Sequence, residues 1–507
     1  MTVTHPKPDV FSTEHLHADL THRSVRGGLI TLTSQGTQFL LQSVATVVLA
    51  RLLLPADFGL VAMVTAITGL GQAFADLGLS EATIQDPKIG HAQVSSLFWV
   101  NVGIGFALAL LAATLAPALV WFYHEPRLLH LTLLVSITFI FGGLRVQHDA
   151  LLRRQMRYIS LAVRDIVSYA VAVPVAVILA MRGVGYWAIV ALPLTLNFLQ
   201  MLLSWVLVRW IPGLPRRGVG VKRLISFGGN VASSYVVMNL TGNADNVLIG
   251  WFWGASPLGL YSRAYNLLML PVRQLAIPGR SIAVPGFSRV QDDPERLARY
   301  YLRAANLMIW LIAPVFGYLV VVAEPVITLV LGPQWRGSAP VFQLLAIFAL
   351  GQLLDELTVW LLVSRGESKR LLRVVLTTSP IIIASYALGL PLGIRGVALF
   401  GSLVMLATLP WILKVAFRDS QLTLLRLARA IVFPVCTSLL AGGVAEAALR
   451  IFHPAASTSQ MLFAGAGFLA TLCASLLLPQ IRAEVDLLVS LIRRSIVSRI
   501  SQPVAGS

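Results

Sequence analysis

Charge is scarce in this chain. Only 12% of its 507 residues are Asp, Glu, Lys or Arg, while 57% are hydrophobic; a soluble domain carries about 25% charged residues. No soluble core absorbs such a surplus, because surface-to-volume scaling leaves too much area to cover with polar groups. Lipid must be part of the solvent, which excludes a soluble enzyme, a secreted disulfide scaffold and a disordered tail protein. Cysteine is nearly absent too. Cys436 and Cys473 both fall in apolar stretches, so there is no disulfide or metal framework, and the two thiols read as small packing residues. Residues 1–26 lack the apolar core of a cleaved signal peptide, so the first hydrophobic segment is expected to stay in the mature protein.

What is present is a succession of apolar stretches, each close to the ~20 residues that cross a bilayer. They fall at 28–50, 58–82, 94–118, 127–144, 159–181, 184–208, 224–253, 257–284, 303–331, 338–364, 371–390, 394–416, 426–450 and 459–481. This predicts an all-α polytopic membrane protein of about fourteen transmembrane helices. Span 257–284 is interrupted by Pro271 and Pro278, and span 303–331 is expected to end near Glu324 and continue as a short re-entrant piece. The basic excess, 39 Lys and Arg against 22 Asp and Glu, tests that count. With a cytoplasmic N-terminus, the outer segments hold only Arg51, Arg127, Arg182, Arg336, Arg395 and Arg450. Arg263 and Arg273 lie within a span, and the remaining basic residues are inner. That is the positive-inside bias, so the basic balance reports topology and excludes nucleic acid as a partner.

Loops long enough for a soluble catalytic domain are lacking, and so is the GxxxxGK[ST] loop that cradles ATP phosphates. The acidic pair Asp292–Asp293 has no metal-site spacing. A membrane-embedded glycan polymerase or ligase would need a sizeable periplasmic loop. The chain therefore reads as a non-enzyme without cofactor or metal.

An internal repeat is visible. The junction Ala50-Arg-Leu-Leu-Leu-Pro-Ala-Asp-Phe-Gly-Leu60 returns 200 residues later as Gly250-Trp-Phe-Trp-Gly-Ala-Ser-Pro-Leu-Gly-Leu260. Leu151-Leu-Arg-Arg-Gln-Met-Arg-Tyr158 is matched by Leu361-Leu-Val-Ser-Arg-Gly-Glu-Ser-Lys-Arg370. An offset of six helices makes the repeats parallel. The expected organisation is a cytoplasmic segment (1–26), an N-lobe of six helices (27–208) and a basic linker (209–223). A six-helix C-lobe (224–416), two further helices (417–482) and a basic amphipathic tail (483–507) follow.

Leu49-Ala-Arg-Leu-Leu-Leu-Pro-Ala-Asp-Phe-Gly-Leu60, with Arg26-Gly-Gly, Phe74-Ala-Asp-Leu-Gly-Leu79, Ile84-Gln85, Ala244-Asp-Asn-Val-Leu-Ile-Gly250, Leu258-Gly-Leu-Tyr261, Glu324-Pro325 and Leu331-Gly-Pro-Gln-Trp335, resembles Wzx-type polysaccharide flippases. The nearest group is the WzxC-like exporters of the multidrug/oligosaccharidyl-lipid/polysaccharide superfamily. The resemblance spans about residues 25–420. It implies two lobes around a central cavity, alternating access, and a polyprenyl-diphosphate-linked oligosaccharide moved from the cytoplasmic to the periplasmic leaflet of a bacterial inner membrane, with both termini cytoplasmic. Membrane lipid, a polysaccharide polymerase and a chain-length regulator are the implied partners. The rival within the superfamily is a cation-coupled exporter of small organic cations.

Ionisable residues inside spans are costly and thus functional candidates. Arg263 and Arg273 offer the rigid guanidinium fork that suits a diphosphate; the alternative is pairing with an acid such as Asp245, or outward snorkelling of Arg263. Arg280 lies two helical turns from Arg273, hence on the same face. Asp76, Asp245, Asp355 and Glu356 are candidates for ion coupling. For Asp76 the alternative is a helix-end carboxylate, and of the adjacent Asp355–Glu356 pair only one can face a lumen centre. Gln35, Gln38 and Gln42 make a polar stripe for sugar hydroxyls or for a partner helix. Asn246, beside Asn243, fits a cavity or an interhelical bond. Tyr265, with Tyr261 and Asn266, fits sugar stacking or an aromatic belt.

Overall fold

The computed structural model describes residues 11, 20–72, 74, 78–86, 89–215, 239–454, 456–479 and 481–482. Sixteen α-helices and no strand occur among them. In chain order they are α1 (Leu20–Leu52), α2 (Pro55–Gln72), α3 (Leu79–Gln85), α4 (His91–Tyr123), α5 (Leu128–Arg154), α6 (Tyr158–Met181) and α7 (Trp187–Val208). Next comes α8, described over 239–253. Then follow α9 (Ala255–Ser288), α10 (Pro294–Val321), α11 (Ala323–Val330), α12 (Ser338–Ser364), α13 (Ser368–Gly389), α14 (Gly393–Ala416), α15 (Leu424–Phe452) and α16 (Ser457–Ser475). Apart from the short α3 and α11, each helix corresponds to one expected span. Among the described residues, eight segments are long and apolar enough to cross a membrane, and one of these, Ser368–Ala416, comprises both α13 and α14. This is a multi-pass membrane protein.

The ninth span breaks where the sequence expects it: α10 stops at Val321 and α11 restarts at Ala323. Three expectations need correction. The second span does not run to residue 82; α2 ends at Gln72, and α3 begins after Gly78, whose φ of 70° lies in the left-handed region that favours glycine. Span eight, in contrast, is not interrupted. Pro271 and Pro278 lie inside an unbroken 34-residue α9, because in a membrane helix neighbouring groups re-satisfy the carbonyl that a proline frees. Cys436 and Cys473 are exposed, not buried; hydropathy does not distinguish a lipid-facing position from a core one.

The chain divides into two compact units, residues 1–262 and 263–507. In the first, α4 packs on α5, α6 on α7 and α1 on α6, around a core that includes Leu97, Phe98, Leu151, Leu152 and Trp210. In the second, α10 packs on α15, α12 on α14 and α15 on α16, and Val322, Ala441, Ala445, Ala464 and Phe468 form a tight cluster. Outside the spans, Asp419 follows α14 and accepts from Arg370, which holds its carboxyl below the usual range.

The two turns of the 200-residue repeat meet within the first unit. A Cβ on Gly59 would lie 1.7 Å from the Ala255 carbonyl oxygen, and one on Gly259 would lie 1.8 Å from that of Pro55. Each glycine thus packs on the residue equivalent to the other's partner, as expected of two copies of one turn. The obstacle is backbone, which cannot swing aside. Gly59→Ala and Gly259→Ala should each destabilise by about 1–3 kcal/mol. Gly36→Ala, in open space on α1, should instead gain up to about 1 kcal/mol. Thermal unfolding in detergent that leaves all three variants alike would show that the crossing is not tight.

Candidate functional site

α9 carries Arg273 and Arg280 seven residues apart, so both fall on one stripe, about 10 Å apart along the axis. With Ala276 and Ser281 of the same helix and Glu356 of α12 they line one cavity of about 490 Å³. Both arginines are exposed, and among the described residues neither forms an ion pair. Glu356 is half-buried and its Oε1 accepts from the indole Nε1 of Trp360 at 2.9 Å. Trp360 is fully buried. It lies against Gly279, where a Cβ would be 2.5 Å from Cη2, so the tryptophan is wedged and the carboxylate it holds has a fixed place. The wall therefore combines two exposed guanidinium groups with one oriented carboxylate: a site for an anion that also carries hydroxyls. Asp355, one position along α12, does not line it, nor does the half-buried Arg263. One turn nearer the start of α9, Leu267, Leu270 and Pro271 border a separate apolar cavity of about 160 Å³ with residues of α10, α11 and α12.

The other candidates are placed elsewhere. Asp245 is buried and accepts from Tyr261 Oη at 2.9 Å and from the Asn246 amide at 2.7 Å. Tyr261 is 1% exposed, so it neither stacks on a sugar nor belongs to an aromatic belt; it is the internal partner of an aspartate. Asn246 is half-buried with its Nδ2 toward Asn243 Oδ1 at 3.5 Å. Tyr265 is half-buried beside Phe348, ring centroids 6.3 Å apart, and Asn266 is exposed. The glutamine stripe is split: Gln35 and Gln42 are exposed, while Gln38 donates to Ser34 Oγ and to Asp165 Oδ2 at 3.3 Å. Asp76 lies outside the described residues, as do the basic tail from residue 483 and most of the linker, from residue 216.

Gln38 leads to a cluster the sequence reading missed. Arg145 and Asp149 of α5, Arg164 and Asp165 of α6, and Gln200 and Ser204 of α7 form one network. Arg164 pairs with Asp149 and, at 2.7 Å, with Asp165. Arg145 pairs with Asp149 at 3.2 Å and bonds Gln200; Gln200 donates to Asp165 at 3.1 Å and Ser204 to Asp149 at 2.7 Å. The spacing Arg145–Asp149 (i, i+4) and the adjacent Arg164–Asp165 at the head of an apolar run were the available signals. Hydropathy assigned the arginines to inner loops, whereas they lie inside helices. A second buried chain runs from Thr83 Oγ1 to Gln147 Oε1 at 2.7 Å and from Gln147 Nε2 to Asn101 Oδ1 at 3.1 Å.

Among curated proteins, the chain is 26% identical over 303 residues to the teichuronic acid biosynthesis protein TuaB of Bacillus subtilis (59% of this chain, 63% of that protein). It is 25% identical over 310 residues to the lipopolysaccharide biosynthesis protein WzxC of Escherichia coli (60% and 62%). It is 27% identical over 322 residues to the succinoglycan biosynthesis transport protein ExoT of Rhizobium meliloti (63% and 65%). The matches thus span less than two thirds of each relative. Among solved structures the fold is like that of the lipid II flippase MurJ in an inward closed conformation: TM-score 0.69, 13% identity, 89% of this chain and 99% of that one. It is also like an inward-facing multidrug resistance MATE family transporter of the MOP superfamily, with TM-score 0.56, 13% identity, 77% and 99%. The family model described as polysaccharide biosynthesis protein matches residues 48–340, more than half of the sequence, and the chain belongs to that family.

Proposed function

We propose that this protein is a flippase. Its substrate is a polyprenyl-diphosphate-linked oligosaccharide, carried from the cytoplasmic to the periplasmic leaflet of a bacterial inner membrane for exopolysaccharide or lipopolysaccharide biosynthesis. The observation that carries the reading is the cavity wall from which Arg273 and Arg280 project, exposed and without an ion pair among the described residues, within a chain of the polysaccharide biosynthesis family. A diphosphate in hydrocarbon has no partner for its charge, and guanidinium groups in a hydrated cavity supply one. No bond is made or broken; the protein lowers the barrier to crossing by presenting its site to one side and then to the other. Two lobes of six helices, with cytoplasmic termini, are the framework we assign to that motion. A polymerase and a chain-length regulator are the partners that would take up the product. The competing reading, export of small organic cations, calls for acids and aromatics in the cavity, and two guanidinium groups oppose it.

Deleting the gene should abolish the surface polymer and leave short lipid-linked repeat units on the cytoplasmic leaflet, with glycosyltransferase activity in membranes unchanged. Normal delivery of repeat units to the periplasmic leaflet, in a strain without a second flippase, would overturn the reading.

A further inference from the structure

Glu356 is out of place in a cavity built for an anion. It stands on the wall that carries Arg273 and Arg280, yet among the described residues it pairs with neither. It is turned instead to Trp360 Nε1 at 2.9 Å. The indole is locked between α12 and the side-chain-free face of Gly279, so the carboxylate is not a mobile counter-ion that swings onto an arginine. An ionised carboxylate has about four lone-pair sites and no donor. The indole uses one, and the rest can accept only from donors, of which sugar hydroxyls are the obvious source in this substrate class.

We propose that Glu356 reads the first sugar of the lipid-linked glycan, accepting its hydroxyls and excluding an acidic sugar at that position. The inference rests on the flippase reading: if the arginines take the diphosphate, the sugar bonded directly to it lies beside Glu356. A neutral hexose there satisfies the carboxylate. A uronic acid there places two like charges within a few ångströms, a repulsion that costs a large factor in rate. Specificity thus arises from a fixed repulsive element as much as from attraction. Trp360 is a positioning residue, acting through the carboxylate it orients.

The test uses the full-length protein in proteoliposomes with two synthetic polyprenyl diphosphates, one bearing glucose and one bearing glucuronic acid. Flipping is read as the sugar's protection from impermeant periodate. The wild type should move the glucosyl lipid faster by tenfold or more. Glu356→Gln keeps the volume and an acceptor but loses the charge, and should bring the ratio to within about twofold, chiefly by admitting the glucuronosyl lipid. Trp360→Phe should lower the ratio in the same direction, which a merely structural loss would not do, since that slows both lipids alike. Equal rates for the two lipids with wild-type protein, or a Glu356→Gln variant that keeps the full preference, would overturn the proposal and leave the flippase reading standing. Movement of neither lipid by the wild type would overturn both.

Discussion

Arg273→Ala is expected to reach the membrane at normal levels and to lose most polymer export, a fall of roughly tenfold to a hundredfold in flipping rate. An arginine deep in a span costs about 2.5–3.5 kcal/mol on insertion, so packing or function must keep it there. Packing does not: the side chain is exposed on the cavity wall and, among the described residues, holds no ion pair. Asp245, the acid the sequence offered as its structural partner, is occupied by Tyr261 and the Asn246 amide. Function remains. Hydrogen bonds to a charged group contribute roughly 1.5–3 kcal/mol, which sets the expected fall. Arg273→Lys should recover part of the loss, because the charge survives and the fork does not. Export assays normalised to immunoblotted membrane protein decide the matter. Full export by a stably inserted Arg273→Ala protein removes the residue from the mechanism, and low protein levels would make it structural.

The helices were legible because a membrane span has a length fixed by the bilayer and a composition fixed by hydrocarbon. Span 338–364 and α12 (Ser338–Ser364) share both ends. Two of the differences have one cause: a charge or a proline in a sequence looks like the end of a helix. Hydropathy ends the fourth span at 144, ahead of Arg145, yet α5 continues to Arg154, since a helix can bury a charge against a partner that a hydropathy window does not see. Pro271 and Pro278 look like interruptions for a similar reason.

The candidate site was half legible. Heptad spacing on one helix placed Arg273 and Arg280 on one face, which is local information. That Glu356, from α12, joins them while Asp355 does not depends on how α12 is rotated against α9. Adjacent positions point about 100° apart, and no property of the two acids distinguishes them beforehand. Trp360 and Gly279 become meaningful only together, since the notch in one helix is what admits the indole of the other.

The other large effect belongs to the missed cluster. Arg164→Ala is expected to destabilise the protein by about 3–5 kcal/mol, the range found when one partner of a buried ion pair is removed. Arg164 is 6% exposed. Its guanidinium bridges Asp149 on α5, Asp165 beside it on α6 and the Ser204 hydroxyl on α7. Two arginines against two aspartates make the cluster neutral, so truncating one arginine leaves a net negative charge away from water, with Arg145 the remaining ion-pair partner of Asp149 among the described residues. Arg164→Lys should recover little, because a point charge cannot span two carboxylates as a planar fork does. The informative variant is the pair Arg164→Gln with Asp165→Asn. It restores neutrality by leaving Arg145 to Asp149 and supplies amides to the vacated positions, and replacing a complete buried pair is often close to neutral in stability. Thermal unfolding of the purified protein should therefore place the double variant well above Arg164→Ala. If the double variant is the less stable of the two, net charge is not what Arg164 supplies, and the bond it makes to Ser204 across α6 and α7 becomes the better account of why it is there.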